Sequence, residues 1–307
     1  MNTITLEEIC RKMGRPAATI PAAARAAFSS FVTDYRPATP SEHQSHLLHL
    51  LKRIHDKKSA RSAAENQAAF ELGWTENLEL CRSEGVSWNS LRPKYVRPFE
   101  IMRYDGAYVV PANPFLPDDL LSLHAILSFT TWLGEAPAVY EFGCGTGRYL
   151  FRLSELFPDK RLIGADWTEA SFRILNLMAE GGRQIAGARF DMLNPDFTLR
   201  LEPRSAVVTV GALEQLGTQF DNFLGFILEN KPSMVLHHEP VLEFYDDQNL
   251  FDYLAVLYHR KRGYLSGYWP ALKDLERAGR VQILDNRRLF SGDPYHESSS
   301  FIAWRPL

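Results

Sequence analysis

A carboxylate and three glycines stand close together in Glu141-Phe142-Gly143-Cys144-Gly145-Thr146-Gly147, after a short apolar run and before an amphipathic one. Glycines at this spacing let the backbone approach a bound ligand where a Cβ would collide. In an open α/β sheet such a turn lies beyond the carboxyl ends of the strands, where ligands bind. The dinucleotide fingerprint G-x-G-x-x-G cradles a pyrophosphate at a helix N-terminus. Here the pattern is G-x-G-x-G, and Arg148 takes the place of the third fingerprint glycine. Glu141, two positions before Gly143, would repel a pyrophosphate and suits a ligand carrying an ammonium group.

Further polar groups follow in order. Asp166, 19 residues after Gly147, closes a second apolar run. Its carboxylate can accept both hydroxyls of a ribose, and Trp167 stands beside it. Asp191 and Met192 follow a third run, with turn capping as the plainer role for Asp191. Cys144 reads as a small loop residue. His237-His238-Glu239-Pro240 follows a fifth run. Adjacent residues on an extended segment point to opposite sides, so one of His237 and His238 faces the cleft. His238, Glu239 and Glu214 are the candidate acid–base or substrate-orienting groups, with His237 and His259 behind them. A surface ion pair is the plainer role for Glu214. Asp246, Asp247 and Asn249 near His237 invite a divalent-cation reading, but their spacing makes no convincing ligand set, and no metal is expected. His43, His46 and His49 step by three residues and drift around a helix, which reads as a solvated face. Arg260-Lys261-Arg262, near Tyr264 and Tyr268, reads as a solvated helix end or a site for an acidic substrate.

The elements that must position these groups alternate from Ala138 onward. Strands are expected at Val139 to Phe142, Leu162 to Ala165, Ala188 to Phe190, Ala206 to Val210 and from Met234. Helices are expected at Tyr149 to Phe157, Glu169 to Ala179, Gln219 to Asn230, Asn249 to Tyr258 and Trp269 to Arg277. Two strands, Val281 to Leu284 and Ser300 to Trp304, close the chain. Such alternation implies a parallel sheet with helices on both faces. Residues 1–95 read as helical: Thr5 to Met13 with a Thr5/Glu8 capping box, Ala22 to Tyr35, Glu42 to about Lys58 capped by Ser41, and Ser62 to Cys81. Residues 96–116 read as an extended aromatic connector, and 117–307 as the ligand-binding domain, opening with a helix from Pro117 to Leu133.

The 307 residues suffice for one large domain or two modest ones. Apolar residues make up 45% and charged residues 23%, an ordinary globular balance. With 34 basic and 37 acidic residues the formal charge is −3, which argues against nucleic acid as the main partner. The three cysteines are too few and too far apart for a disulfide framework or a zinc site. No signal-like or membrane-spanning run is present, so a cytoplasmic protein is expected.

The glycine segment with its preceding acidic residue resembles motif I of the class I S-adenosylmethionine-dependent methyltransferases. Asp166, Asp191 and the run Val207 to Gly211 with Ala212-Leu213-Glu214 are similar to that family's later landmarks, over about residues 115 to 307. Gln215 departs from the family, which often has His near that position. The resemblance implies a Rossmann-like core: a mostly parallel seven-stranded sheet with helices on both faces, preceded here by the helical N-terminal region. It implies S-adenosylmethionine held by Glu141, Gly143, Cys144, Gly145, Gly147, Asp166, Trp167, Asp191 and Met192. It also implies methyl transfer to a small or medium polar metabolite of undetermined acceptor atom. Tyr104 and Tyr108 are expected to fold over the cofactor as a lid, and the N-terminal region to cap the cleft or form a homodimer interface. The competing readings are an inactive binding or scaffold protein on the same fold and an NAD(P)-dependent oxidoreductase. The family's Asn/Asp-Pro-Pro-aromatic motif for amino groups of nucleic acids is absent.

Overall fold

Short apolar segments at the start of the chain build a sheet of their own. The computed structural model describes residues 1–56, 63–297 and 299–307. The N-terminal part holds β1 (Asn2–Thr3), α1 (Leu6–Lys12), α2 (Ala22–Ser29), β2 (Asp34–Pro37), α3 (Pro40–Ile54), α4 (Ala63–Glu84), β3 (Met102–Tyr104) and β4 (Ala107–Pro111). It is therefore not wholly helical. The helix expected through Tyr35 stops at Ser29, and its end becomes β2. The expected connector contains a hairpin whose two-residue turn, Asp105-Gly106, has φ of 51° and 77°. Positive φ at both positions is the twist-matched hairpin turn that an Asp-Gly pair favours.

Local capping explains the helix starts. The Thr5 hydroxyl accepts the Glu8 N–H, while the Glu8 carboxylate accepts the Tyr104 hydroxyl rather than completing a box. Thr39, not Ser41, caps α3. Thr39 and Glu42 satisfy each other's backbone N–H groups, and Pro40 fills the first helical position. The ends expected at Lys58 and Ser62 lie outside the described residues.

The remaining elements are α5 (Leu116–Trp132), β5 (Ala138–Phe142), α6 (Arg148–Leu156), β6 (Arg161–Asp166), α7 (Glu169–Glu180), β7 (Ile185–Arg189), β8 (Ala206–Val210), α8 (Asp221–Asn230), β9 (Met234–Glu239), α9 (Leu250–Arg262), α10 (Tyr268–Arg277), β10 (Val281–Arg288), β11 (Ser291–Gly292) and β12 (Ser300–Pro306). Seven of the strands form one sheet in the order β10-β12-β9-β8-β5-β6-β7. The β5, β6, β7, β8 and β9 neighbours pair in parallel, and β12 is antiparallel to both β9 and β10. This is the Rossmann-like core, closed by an antiparallel strand, that the resemblance implied.

Alternation along each strand sorts side chains to two faces. Val139, Val208, Leu236 and Phe301 pack with α4, α5, α6 and α7. Tyr140, Phe142, Val207, Val235 and Trp304 pack with α8 and α10. The other side of α5, with Leu116, Leu120, Leu123 and Leu127, packs on the small sheet and α1. That sheet runs β1-β2-β4-β3-β11, so its last strand comes from the excursion between β10 and β12. Among the described residues no helix is long and apolar enough to cross a membrane.

Candidate active site

The turn between β5 and α6 is built by three glycines in the left-handed region, with φ of 67° at Gly143, 53° at Gly145 and 70° at Gly147. All three are also crowded, a Cβ on Gly147 standing 2.6 Å from Cδ2 of Leu175. A Cβ on Gly143 would stand 2.4 Å from the Ala212 Cβ, and one on Gly145 would stand 2.9 Å from Cζ2 of Trp74. The loop is thus enclosed by the β8 end on one side and by α4 on the other. Met192 lies there too, its Cε 3.2 Å from the same Gly143 position.

The acidic side chains hold this loop from below. The Asp166 carboxylate accepts the Gly145 N–H at 2.9 Å and the Thr168 N–H and hydroxyl at 2.9 and 2.7 Å. Glu141 is 1% exposed, and its Oε2 has no hydrogen-bond partner. Burial, and after it the neighbouring Asp166 charge, push Glu141 up to about 8. An orphaned carboxylate oxygen beneath a glycine loop fits a ligand that brings a cationic donor. Burial also raises the Cys144 thiol well above its usual range, which leaves it un-ionised and suits a packing role. Arg148 is engaged by both Asp118 oxygens at 2.9 Å and lies over the Trp88 ring.

Trp167 is half-buried beside Asp166, and its carbonyl accepts Gln67 of α4. Asp191 caps its own turn, accepting the Leu193 N–H at 2.8 Å and the Asn194 amide at 2.9 Å. That is the plainer of its two expected roles.

The groups after β9 sit differently from expectation, because the strand extends through Glu239. His237 lies on the α10 face, bonded to the Thr209 hydroxyl at 2.9 Å and the Tyr268 hydroxyl at 2.8 Å. His238 lies on the opposite face between Phe129 and Phe301. Both are fully enclosed, and burial pushes each down to about 3. Neither is brought to the glycine loop. Glu239 is completely buried, and its two oxygens accept the Ala212 and Glu214 N–H groups at 3.1 and 3.0 Å. It caps the turn Leu213–Leu216 and so positions Glu214.

Glu214 is half-buried, and its Oε1 accepts the Gln215 amide at 2.7 Å. Burial, and then Glu239, raise it to about 8, while His296, Gln215 and Arg262 pull it back. Its charge acts on two residues that the sequence did not single out, Tyr95 and His296. Tyr95 packs tilted against Trp74 and edge-on to Phe70, with ring centroids 5.4 and 6.2 Å apart. Tyr95 as a whole residue is 56% exposed, but its hydroxyl end is raised above its usual range, first by burial and then by the charges of Glu214, Tyr149, Asp118 and Asp166. His296 is partnered by His259.

The expected lid residues lie elsewhere. Tyr104 is buried in the small sheet with its hydroxyl on Glu8. Tyr108 is buried against His46 and Phe251. Just before this region, Tyr95 packs on Trp74, the ring that faces Gly145. His46 is also buried, bonded to the Pro294 carbonyl at 2.9 Å, so the His43/His46/His49 face is not simply solvated. Likewise Tyr268 is a core residue rather than part of a basic surface. Among the described residues no group of three or more His, Cys, Asp or Glu is arranged to hold a metal ion.

No family model matches the sequence, and neither does any curated protein. Similar solved structures include the N-methyltransferase NodS from Bradyrhizobium japonicum in complex with S-adenosyl-L-homocysteine, at 14% identity and a TM-score of 0.43, covering 60% of this chain and 85% of that one. An O-methyltransferase family 2 protein from Planctomyces limnophilus in complex with apigenin is similar over 81% of this chain and 98% of its own, at 10% identity and a TM-score of 0.41. A SAM-dependent methyltransferase from Aquifex aeolicus is similar over 59% of this chain and 88% of its own, at 15% identity and a TM-score of 0.39.

Proposed function

We propose that this protein is a class I S-adenosylmethionine-dependent methyltransferase acting on a small or medium polar metabolite. One observation carries the reading: the buried Glu141 oxygen without a partner, beneath a loop closed by Ala212 and Trp74. A nicotinamide dinucleotide brings a pyrophosphate and no cationic donor for this oxygen. An amino-acid ammonium supplies the missing donor.

In this reading Glu141 and the Gly143–Gly147 backbone hold the methionine end of the cofactor. Asp166 accepts from the ribose with the oxygen lone pairs its loop contacts leave over. Trp167 and Met192 flank the base, with Asp191 behind them. Bound there, S-adenosylmethionine supplies a methyl group activated by a sulfonium charge.

The chain then has to align the acceptor and take its proton. Alignment supplies a large part of the acceleration. Glu214 is the group placed to accept the proton, being half-buried, next to the loop and raised to near the operating pH. His238 and Glu239 are withdrawn from that role by enclosure and by saturated hydrogen bonding. Trp74, Phe70 and Tyr95 take the covering role expected of Tyr104 and Tyr108.

Calorimetric titration with S-adenosylhomocysteine, beside the Asp166→Ala variant and an NAD control, tests the reading. Binding of S-adenosylhomocysteine that weakens in the variant supports it. Binding of NAD instead, or of neither, overturns it.

A further inference from the structure

The excursion between β10 and β12 leaves the main sheet, adds β11 to the small one and returns. β11 pairs with β3, Ser291 opposite Tyr104 and Gly292 opposite Arg103, and the Arg103 N–H reaches the Asp293 carbonyl at 3.3 Å. This pairing presents Asp293 and His296 to the end of α9. Asp293 Oδ1 accepts the Tyr295 and His296 N–H groups at 2.7 and 3.0 Å, and its Oδ2 stands 3.4 Å from His296 Nε2. His296 Nδ1 meets His259 Nε2 at 3.1 Å. Both ring nitrogens of His296 are therefore engaged, and the ring is 5% exposed.

The turn carrying Glu214 abuts the same region. The Ser266 N–H donates to the Gly217 carbonyl at 3.2 Å, and a Cβ on Gly217 would stand 2.9 Å from the Gly263 carbonyl oxygen. Between these two contacts Tyr264 projects toward both histidines, with ring centroids 5.6 Å from His259 and 5.7 Å from His296. Its hydroxyl accepts Arg262 Nε at 3.2 Å.

We propose that His296, clamped by Asp293 and His259, is a positioning residue that sets the charge of Glu214 on the acceptor side of the cleft. The inference rests on the reading of Glu214 as the acid–base group. An imidazolium favours an ionised neighbouring carboxylate, and that carboxylate in turn favours the imidazolium. The small sheet thereby acquires a purpose: it holds the C-terminal excursion where its histidine can act on Glu214.

The surrounding charges agree in direction. Asp293 is the largest influence raising His296, followed by Glu214 and Glu297, while burial opposes them. His259, facing His296 and Arg103, is held well below its usual range mainly by burial, so it serves as the neutral acceptor of the His296 Nδ1 proton. Glu214 is faced by Glu239 from β9, Arg262 from α9, Tyr264 from the following loop, Tyr95 from the loop after α4 and His296 from the excursion.

Imidazole NMR titration of histidine-labelled protein tests this without a known acceptor, with and without S-adenosylhomocysteine. The His296 resonance is assigned from its loss in His296→Gln. We expect its midpoint above 6.5, a fall of about half to one pH unit in Glu214→Gln and a larger fall in Asp293→Asn. Circular dichroism shows whether each variant folds, and the Glu214→Gln result decides the matter alone if Asp293→Asn does not. A His296 midpoint unchanged in folded Glu214→Gln, or below 6.5 in the unsubstituted protein, overturns the proposal. Failure to bind S-adenosylhomocysteine, with the midpoint shift intact, would sink the cofactor reading and leave this coupling standing.

Discussion

The carboxylate of Asp166 accepts the backbone N–H of Gly145 at 2.9 Å, so the residue that ends β6 fixes the middle glycine of the loop between β5 and α6. The same carboxylate caps the turn into α7 through Thr168. Asp166→Ala strips a partner from three donors in a buried place. Leaving such groups unsatisfied costs about 1–3 kcal/mol. We expect a stability loss of that order in denaturant melts. Loss of the ribose contacts should also weaken S-adenosylhomocysteine by about ten- to a hundredfold in calorimetry. An unchanged affinity would place the ligand elsewhere.

Glu141 makes cofactor binding depend on pH. Raised to about 8 by burial and then by Asp166, it is mostly protonated near neutrality in the free protein. A ligand ammonium favours the carboxylate, so binding expels the proton. Affinity should therefore fall as pH drops below about 8, by up to about tenfold per unit. Calorimetry in two buffers of different ionisation enthalpy should show proton release. Glu141→Gln should bind weakly and without that pH slope. Equal heats in both buffers with a flat affinity would rule out this pairing.

The main sheet was legible because its central strands are short, continuous apolar runs, buried on both faces, that alternate with longer helical segments. The glycine loop was legible because three left-handed positions within five residues leave few alternatives to glycine. The small sheet was not, because β1 and β11 have two residues each and β3 has three. No periodicity can be read over such lengths. Its one local signal, Asp105-Gly106 beside Tyr108-Val109-Val110, was overshadowed by the surrounding prolines and aromatics. At the site, β9 runs to Glu239, three residues beyond the apolar core Met234 to Leu236. That extension places His237, His238 and Glu239 within the sheet, where an extended segment just past the strand was expected. His296 was invisible for another reason: its neighbours come from α9 and from a sheet near the other end of the chain.

Five buried histidines among the described residues are held below their usual range, and three of them, His124, His237 and His238, are enough to make the protein sensitive to acid. Burial alone moves His124 and His237 down to about 3, and burial, followed by the other two, does the same to His238. Each is neutral when folded and takes up a proton near 6.5 when unfolded. Their contribution is therefore complete above about 6.5 and is lost as pH falls from there toward 3. At pH 5 each forfeits about 2 kcal/mol, and the three together approach the total stability of an ordinary domain. Denaturation midpoints should drop steeply between pH 7 and about 5. Both ring nitrogens of His124 lack partners, so His124→Phe removes a titrating group without breaking a hydrogen bond. That variant should show a shallower acid slope, by about one proton. An unaltered slope would mean that His124 ionises freely in the folded protein.

Arg103 ties the two sheets together through charge that water does not reach. Its side chain is completely buried, with Nε 3.2 Å from Glu297, Nη1 2.9 Å from the Phe251 carbonyl and Nη2 3.6 Å from Asp252. Its guanidinium lies 3.4 Å from the Phe251 ring centroid. Arg288 engages the same two carboxylates from β10. Removing one cation leaves Arg288 facing two buried acids. Breaking a buried pair from one side costs about 3–5 kcal/mol. Arg103→Met keeps most of the volume and loses the charge, so a drop of that order in chemical denaturation is expected. Arg103→Lys should recover only part of it, since an ammonium cannot reach carboxylate and carbonyl with a planar fork. Because the excursion bearing His296 hangs from the same contacts, Arg103→Met should also shift the His296 titration in the folded protein. A loss below about 1 kcal/mol, the range of exposed pairs, would show that this quartet is hydrated and that the small sheet is held by its apolar contacts alone.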